Sequence, residues 1–142
     1  MKMLQKKSSA IDLKSLVDRG VEFHGHLGPF LVCGIRMGLV ALDKLNSTGH
    51  KDLSVVSYSG KQPPFSCLND GVQISTGCTL GKGNITVRDK GQARIIFEKE
   101  KNKLEISLKD FILDKIEYKD IDSYSKELMD IPEEELFEWK RI

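Results

Sequence analysis

From Pro29 to Leu45 the residues Phe30, Leu31, Gly34, Ile35, Gly38, Leu39, Leu42 and Leu45 recur every three or four positions. This spacing predicts an amphipathic helix that opens at the proline. Arg36, Asp43 and Lys44 fall outside the stripe, so the helix reads as the central element of a core. Its apolar runs are broken and far shorter than the roughly 20 residues that a membrane-crossing helix needs. Gly34 and Gly38 lie one turn apart on the same side. Each costs of order 1 kcal/mol of helicity, and in return another backbone can approach closely. A strand or a dimer partner is expected there.

The flanking segments have weaker patterns. Residues 1–9 are polar and rich in lysine and are expected to fray; Asp12 then caps a helix built on Leu13, Leu16 and Val17, which Gly20 weakens or ends. Leu53 to Tyr58 predicts a strand, closed by Gly60 and the Pro63-Pro64 pair. Ser66 is placed to cap a short helix carrying Cys67, Asp70, Gly71 and Ile74, which Gly77 stops. Residues 84–88, 92–99 and 103–108 alternate like three strands of a meander. From Phe111 the chain is acidic and helical in pattern, with Ile112, Ile116, Leu128, Leu136 and Trp139 available to clamp onto the core and Pro132 dividing it. The expected fold is α+β, with helices packed on a mixed or mainly antiparallel sheet in the order α-α-β-α-β-β-β-α. We expect one domain over residues 1–142, with its core at about 11–108 and a helical extension at about 109–142.

Charge narrows the function. Lysine and arginine number 22 against 21 acidic residues, a formal net charge of +1, so no global positive field exists to attract a nucleic acid. The opening MKMLQKKSSAIDLKSL has lysines but no apolar stretch of the secretory kind, and the expected compartment is the cytoplasm. Three cysteines are an odd number and too few for a disulfide scaffold; in a reducing compartment they serve as core residues, nucleophiles or metal ligands.

Reactive side chains concentrate in two stretches. Phe23-His24-Gly25-His26-Leu27-Gly28-Pro29 holds two of the three histidines. Imidazoles two positions apart cannot share a helical face, but across Gly25 in a loop both can aim at one point. Either they hold a metal together, or one packs on the next helix while the other faces solvent. In the second stretch Cys67 and Cys78 stand eleven residues apart, which is not the spacing of a zinc knuckle. Cys67, near a helix start, is expected to have a stabilised thiolate; Cys78, beside Gly77, is either a small buried residue or a ligand. Cys33 reads as core and His50 as solvated. The run from Gly77 to Gly83 has three residues between its first two glycines and a glycine after Lys82, so it is no nucleotide-binding phosphate loop. Lys82, with Thr79 in the same turn, is a candidate contact for an acidic ligand, the alternative being a solvated turn lysine.

Together the histidine stretch and Cys67…Asp70…Gln73…Thr76-Gly-Cys-Thr-Leu-Gly-Lys-Gly-Asn84 resemble the family of the formylmethanofuran dehydrogenase E chain over about residues 11–108. The resemblance implies an α+β core domain, often an intertwined homodimer, with a histidine and cysteine cleft that looks like a metal or active site. His24 and His26 match the paired histidines, Cys67 the cysteine that starts the short helix, and Cys78 and Lys82 the glycine-rich run. Many relatives carry a cysteine where Gly28 stands, and many carry a zinc-binding tail that has no counterpart here, because no cysteine follows Cys78. Three cysteines cannot ligate the iron–sulfur array of the enzyme that names the family, so this chain alone is not that catalyst.

The resulting expectation is a homodimeric metal-binding protein related to one-carbon metabolism and methanogenesis. His24, His26 and Cys67 are its candidate ligands and Cys78 a weaker fourth, for a divalent ion of the zinc type. Cys67 and Asp70 are the candidate catalytic residues, and Lys82 and Thr79 the candidate substrate contacts. Two alternatives stand beside it: a non-enzymatic accessory or metal-delivery component of a larger oxidoreductase complex, and a metal-free enzyme with Cys67 as nucleophile.

Overall fold

The computed structural model describes residues 1–7 and 11–142. Asp12 caps the first helix, α1 (Leu13–His24), by accepting from the Ser15 amide at 3.3 Å. Gly20 does not end this helix. It is buried against Leu31 and Ile35, and α1 runs on to His24, where Gly25 closes it at φ +109°. The expected fraying is corrected at Lys6, whose amide donates to Thr48 O at 2.7 Å and whose Nζ donates to Ile74 O at 3.0 Å. Residues 8 and 9 of that stretch lie outside the described residues.

The central helix is α2 (Pro29–Lys44), opened by the proline at its first turn and buried on nearly every side. Neither a strand nor a partner lies on its glycines. They receive α3 (Cys67–Thr76): a Cβ at Gly34 would collide with the Leu68 carbonyl, and one at Gly38 with the Ser75 hydroxyl. Gly71 of α3 reciprocates, because a Cβ there would strike the Leu31 carbonyl. Three missing side chains therefore let the two helix backbones touch.

The sheet is mixed, α+β as expected, with strands β1 (Ser54–Ser57), β2 (Ile85–Val87), β3 (Arg94–Lys99), β4 (Asn102–Leu108) and β5 (Phe137–Arg141) in the order β2-β1-β3-β4-β5. The expected meander of three successive strands is corrected: β1 lies between β2 and β3, and pairs parallel with β2 and antiparallel with β3. Parallel neighbours need a crossover, and α3 is that crossover. Ile95, Phe97, Leu104, Ile106 and Leu108 point from β3 and β4 into one core with α2.

The C-terminal third is α4 (Asp110–Tyr118), α5 (Ile121–Asp130), α6 (Glu133–Leu136) and then β5. The sheet thus crosses the boundary expected near residue 108, because β5 pairs with β4 and places Trp139 opposite Ile106. Ile112, Leu128 and Leu136 are buried as expected, whereas Phe111 is exposed. Arg36 of α2 anchors α5 by donating from Nη1 to the carbonyls of Leu128, at 2.7 Å, and Ile131. No helix among the described residues is long and apolar enough to cross a membrane.

Candidate functional site

Three helix ends meet at one place. His24 is the last residue of α1, His26 follows the Gly25 turn, and Cys67 is the first residue of α3, with Asp70 in the same first turn. The two imidazole rings lie 4.8 Å apart, centroid to centroid, tilted by 33°. Both rings and Cys67 line a cavity of about 540 Å³, whose walls include Phe30, Phe65, Leu113 and Ile116. A second cavity of about 560 Å³ shares His24 and Cys67 and adds Lys61, Asn69, Asp70 and Gln73. Two histidines and a cysteine forty-odd positions away thus border one space.

Asp70 fixes His24. Its Oδ2 stands 2.5 Å from Nδ1 of the imidazole, and the His24 side chain is only 11% exposed. With a carboxylate there, Nδ1 carries the proton and donates. Nε2, which bears the lone pair whenever the ring is neutral, is buried and without a hydrogen-bond partner among the described residues. His26 is exposed and Cys67 half-buried.

The expected stabilised thiolate at Cys67 is corrected. Burial, and next the charge of Asp70, push this thiol above its ordinary value. The helix start offers no compensation, because its amides are already engaged: Cys67, Leu68 and Asn69 donate to Pro64, Phe65 and Ser66 carbonyls at 3.0–3.1 Å. Ser66 makes no side-chain cap, its backbone being helical rather than extended.

Asn69, to which sequence reading gave no role, holds this end of α3. It is buried, accepts from Ser59 Oγ at 2.9 Å and donates to the Gly60 carbonyl at 3.2 Å. Its only signal in the sequence is its place in the motif between Cys67 and Asp70. Asp114 and Glu117 of α4, which also line the first cavity, carried no signal, because it is the tertiary fold that brings α4 to the cavity.

The remaining candidates lie elsewhere. Cys78 is fully buried, donates from Sγ to the Leu53 carbonyl at 3.3 Å and lines neither cavity. Burial raises its thiol, as it raises that of Cys33, which reaches about 12. Lys82 donates to the Gly77 carbonyl at 2.6 Å and to Thr79 Oγ1 at 3.0 Å, so both residues knit their own turn at the opposite end of α3 from Cys67. His50 is not freely solvated: its ring packs over Gly77, and burial, followed by Lys6 and Lys82, lowers its pKa. Among the described residues no three histidine, cysteine or acidic side chains are converged as a ready metal site.

The chain as a whole is similar to known proteins. A profile of the family described as FmdE, molybdenum formylmethanofuran dehydrogenase operon, matches residues 23–138. The chain belongs to the FmdE family. Over 97 residues it is 36% identical to a probable S-adenosyl-L-methionine-binding protein of Archaeoglobus fulgidus, a match covering 63% of this chain and 25% of the relative. The FmdE chain thus spans about a quarter of the length of that curated relative. The crystal structure of a tungsten formylmethanofuran dehydrogenase FmdE-like protein from Syntrophus aciditrophicus has the same fold, with a TM-score of 0.74 at 19% identity, over 99% of this chain and 77% of that one.

Proposed function

We propose that this FmdE-family chain binds a divalent metal ion of the zinc type in the cleft of His24, His26 and Cys67, as a cytoplasmic homodimer related to one-carbon and redox metabolism. The observation that carries this reading is the His24–Asp70 pair. A carboxylate on one imidazole nitrogen, with the other nitrogen buried and unpartnered among the described residues, is the arrangement that orients a metal-binding histidine and raises its basicity.

The donor types fit the ion, since imidazole and thiolate together suit zinc, and three protein ligands leave a position open. His26 and Cys67 line the same cavity, and among the described residues neither side chain is held by a hydrogen bond. When bound, the ion supplies Lewis acidity toward a carbonyl or a water molecule. Asp70 holds the proton on His24 Nδ1, and Phe30 and Phe65 give a ligand an apolar wall. The relative's designation makes S-adenosyl-L-methionine a compound to include in ligand screens of this cleft.

Elemental analysis of protein purified without a metal-affinity tag tests the reading. One zinc per chain, lost in Cys67→Ser and in His26→Ala, is the expected result; full retention in both variants overturns it.

The same pair favours a second reading, in which Asp70 orients His24 as a general base toward a Cys67 nucleophile. The raised thiol of Cys67 weighs against it. Alkylation discriminates, because zinc ligation slows modification until a chelator is added, whereas a free thiol is indifferent to the chelator.

A further inference from the structure

We propose that the cavity beside His24 and Cys67 takes a neutral or positively charged small molecule with a largely apolar, ring-sized body, and that Asp114 and Glu117 of α4 set this charge preference. The inference takes the cavity of the proposed function as a ligand site, and rests on that reading for its location alone.

The volume of about 540 Å³ lies within the range of small-molecule sites. Phe30 and Phe65 stand with ring centroids 5.1 Å apart, tilted by 55°, and Leu113 and Ile116 add aliphatic wall. The charged side chains lining the cavity are Asp114 and Glu117, both acidic; among the described residues no lysine or arginine lines it. The lysines of that neighbourhood are engaged elsewhere. Lys115 Nζ lies 5.7 Å from the Phe111 ring centroid, and Lys119 Nζ stands 3.5 Å from Glu127.

Packing does not account for the acidic pair. Of the nine residues of α4, Ile112 alone is buried, while Asp114 and Glu117 are exposed. Three positions apart, they share one face of the helix, and that face borders the cavity. In the zinc-free protein a carboxylate or phosphate entering here meets two like charges and, among the described residues lining the cavity, no lysine or arginine. An ammonium or a hydrogen-bond donor meets complementary charge.

The test titrates three matched probes near neutral pH and low salt, by calorimetry: 2-naphthylmethylammonium, 2-naphthylmethanol and 2-naphthylacetate. The expected order is ammonium, alcohol, acetate, with the ammonium about tenfold tighter than the acetate, a ratio that shrinks in about 0.5 M salt because the carboxylates are exposed. In Asp114→Asn/Glu117→Gln the two charged probes are expected to bind within about twofold of each other. Acetate binding as tight as ammonium, a ratio unchanged in the double variant, or no saturable binding by any probe overturns the proposal. The titrations are run on zinc-free protein, because a bound dication would itself attract the acetate, and zinc retention is measured separately on protein as purified. Failure to retain zinc with the charge ranking intact removes the metal proposal alone, and loss of the ranking with zinc retained removes this one alone.

Discussion

Asp70 Oδ2 lies 2.5 Å from His24 Nδ1 across 46 positions of sequence, at the junction of the α1 C-terminus and the α3 N-terminus. The pair ties one helix end to the other. If it orients a ligand, Asp70→Asn weakens zinc binding about 10- to 100-fold without unfolding the chain. Competition against a chromophoric chelator, with circular dichroism as a control for folding, checks this.

Gly28 offers a test by addition. It is the residue before α2, with extended backbone at φ −144° that any residue adopts, and a Cβ there would stand 3.3 Å from His26 Nε2. A cysteine at this position brings a fourth soft donor beside the imidazole. Gly28→Cys is expected to tighten zinc binding about tenfold or more, measured by the same competition; unchanged affinity would place the ion elsewhere.

The three thiols differ in reach. Cys33 and Cys78 are fully buried and Cys67 is half-exposed, so a disulfide-exchange reagent is expected to titrate one thiol in the folded protein and three in denaturant. Burial and the Asp70 charge hold the Cys67 thiol above its ordinary value of 9.0. Metal-free protein therefore reacts slowly at neutral pH, and its rate climbs only on the alkaline side. Asp70→Asn removes one of the two causes and shifts the rate profile to lower pH.

The contact of α2 with α3 depends on absent side chains. Gly71→Ala drives a methyl group into the Leu31 carbonyl. Overpacking outweighs the gain in helix propensity, for an expected net loss of about 2 kcal/mol, read from urea unfolding. Because α3 carries Cys67 and Asp70, zinc affinity should fall as well.

Acid stability has a local source in β3 and β4. Arg94 Nη1 donates to Glu105 Oε1 at 2.6 Å, and Lys140 Nζ lies 3.4 Å from Oε2. The Arg94 hydrogen bond, first among the causes, holds the Glu105 carboxyl below its ordinary 4.5. Its contribution is therefore complete above that pH and is lost as pH falls through the depressed folded value. Glu105→Gln is expected to flatten the stability profile below pH 4.5, measured by thermal unfolding across pH.

How much of this was legible in the sequence follows from the range of the forces involved. The opening of α2 at Pro29, the Asp12 cap and the stop at Gly77 are local events of backbone and capping chemistry, and the sequence shows them. What Gly34 and Gly38 face was not legible, because close approach leaves no record of which element approaches; Gly71 held the answer from outside the pattern. The strand β5 was missed for a reason of period. Leu136, Phe137 and Trp139 fit a helical stripe as well as alternation over so few residues, and hydrogen bonding to β4 decides between them. The candidate site divided likewise. Residue types and helix ends brought His24, His26 and Cys67 to notice, but the clamp by Asp70 and the walls from α4 arise from tertiary packing, and the commitment of Lys82 to its own turn is a local side-chain choice that residue type alone does not decide.

The pairing of β4 with β5 bears on how the chain is made. Residues 137–141 leave the ribosome after the other four strands and after three intervening helices. Until they do, the outer rim of β4 presents bare amides and carbonyls while the rest of the sheet can already assemble. A nascent chain stalled before that point offers the rim of β4 as an open template to its neighbours on the same message, and the late-arriving strand covers that rim and becomes the edge of the sheet in its place.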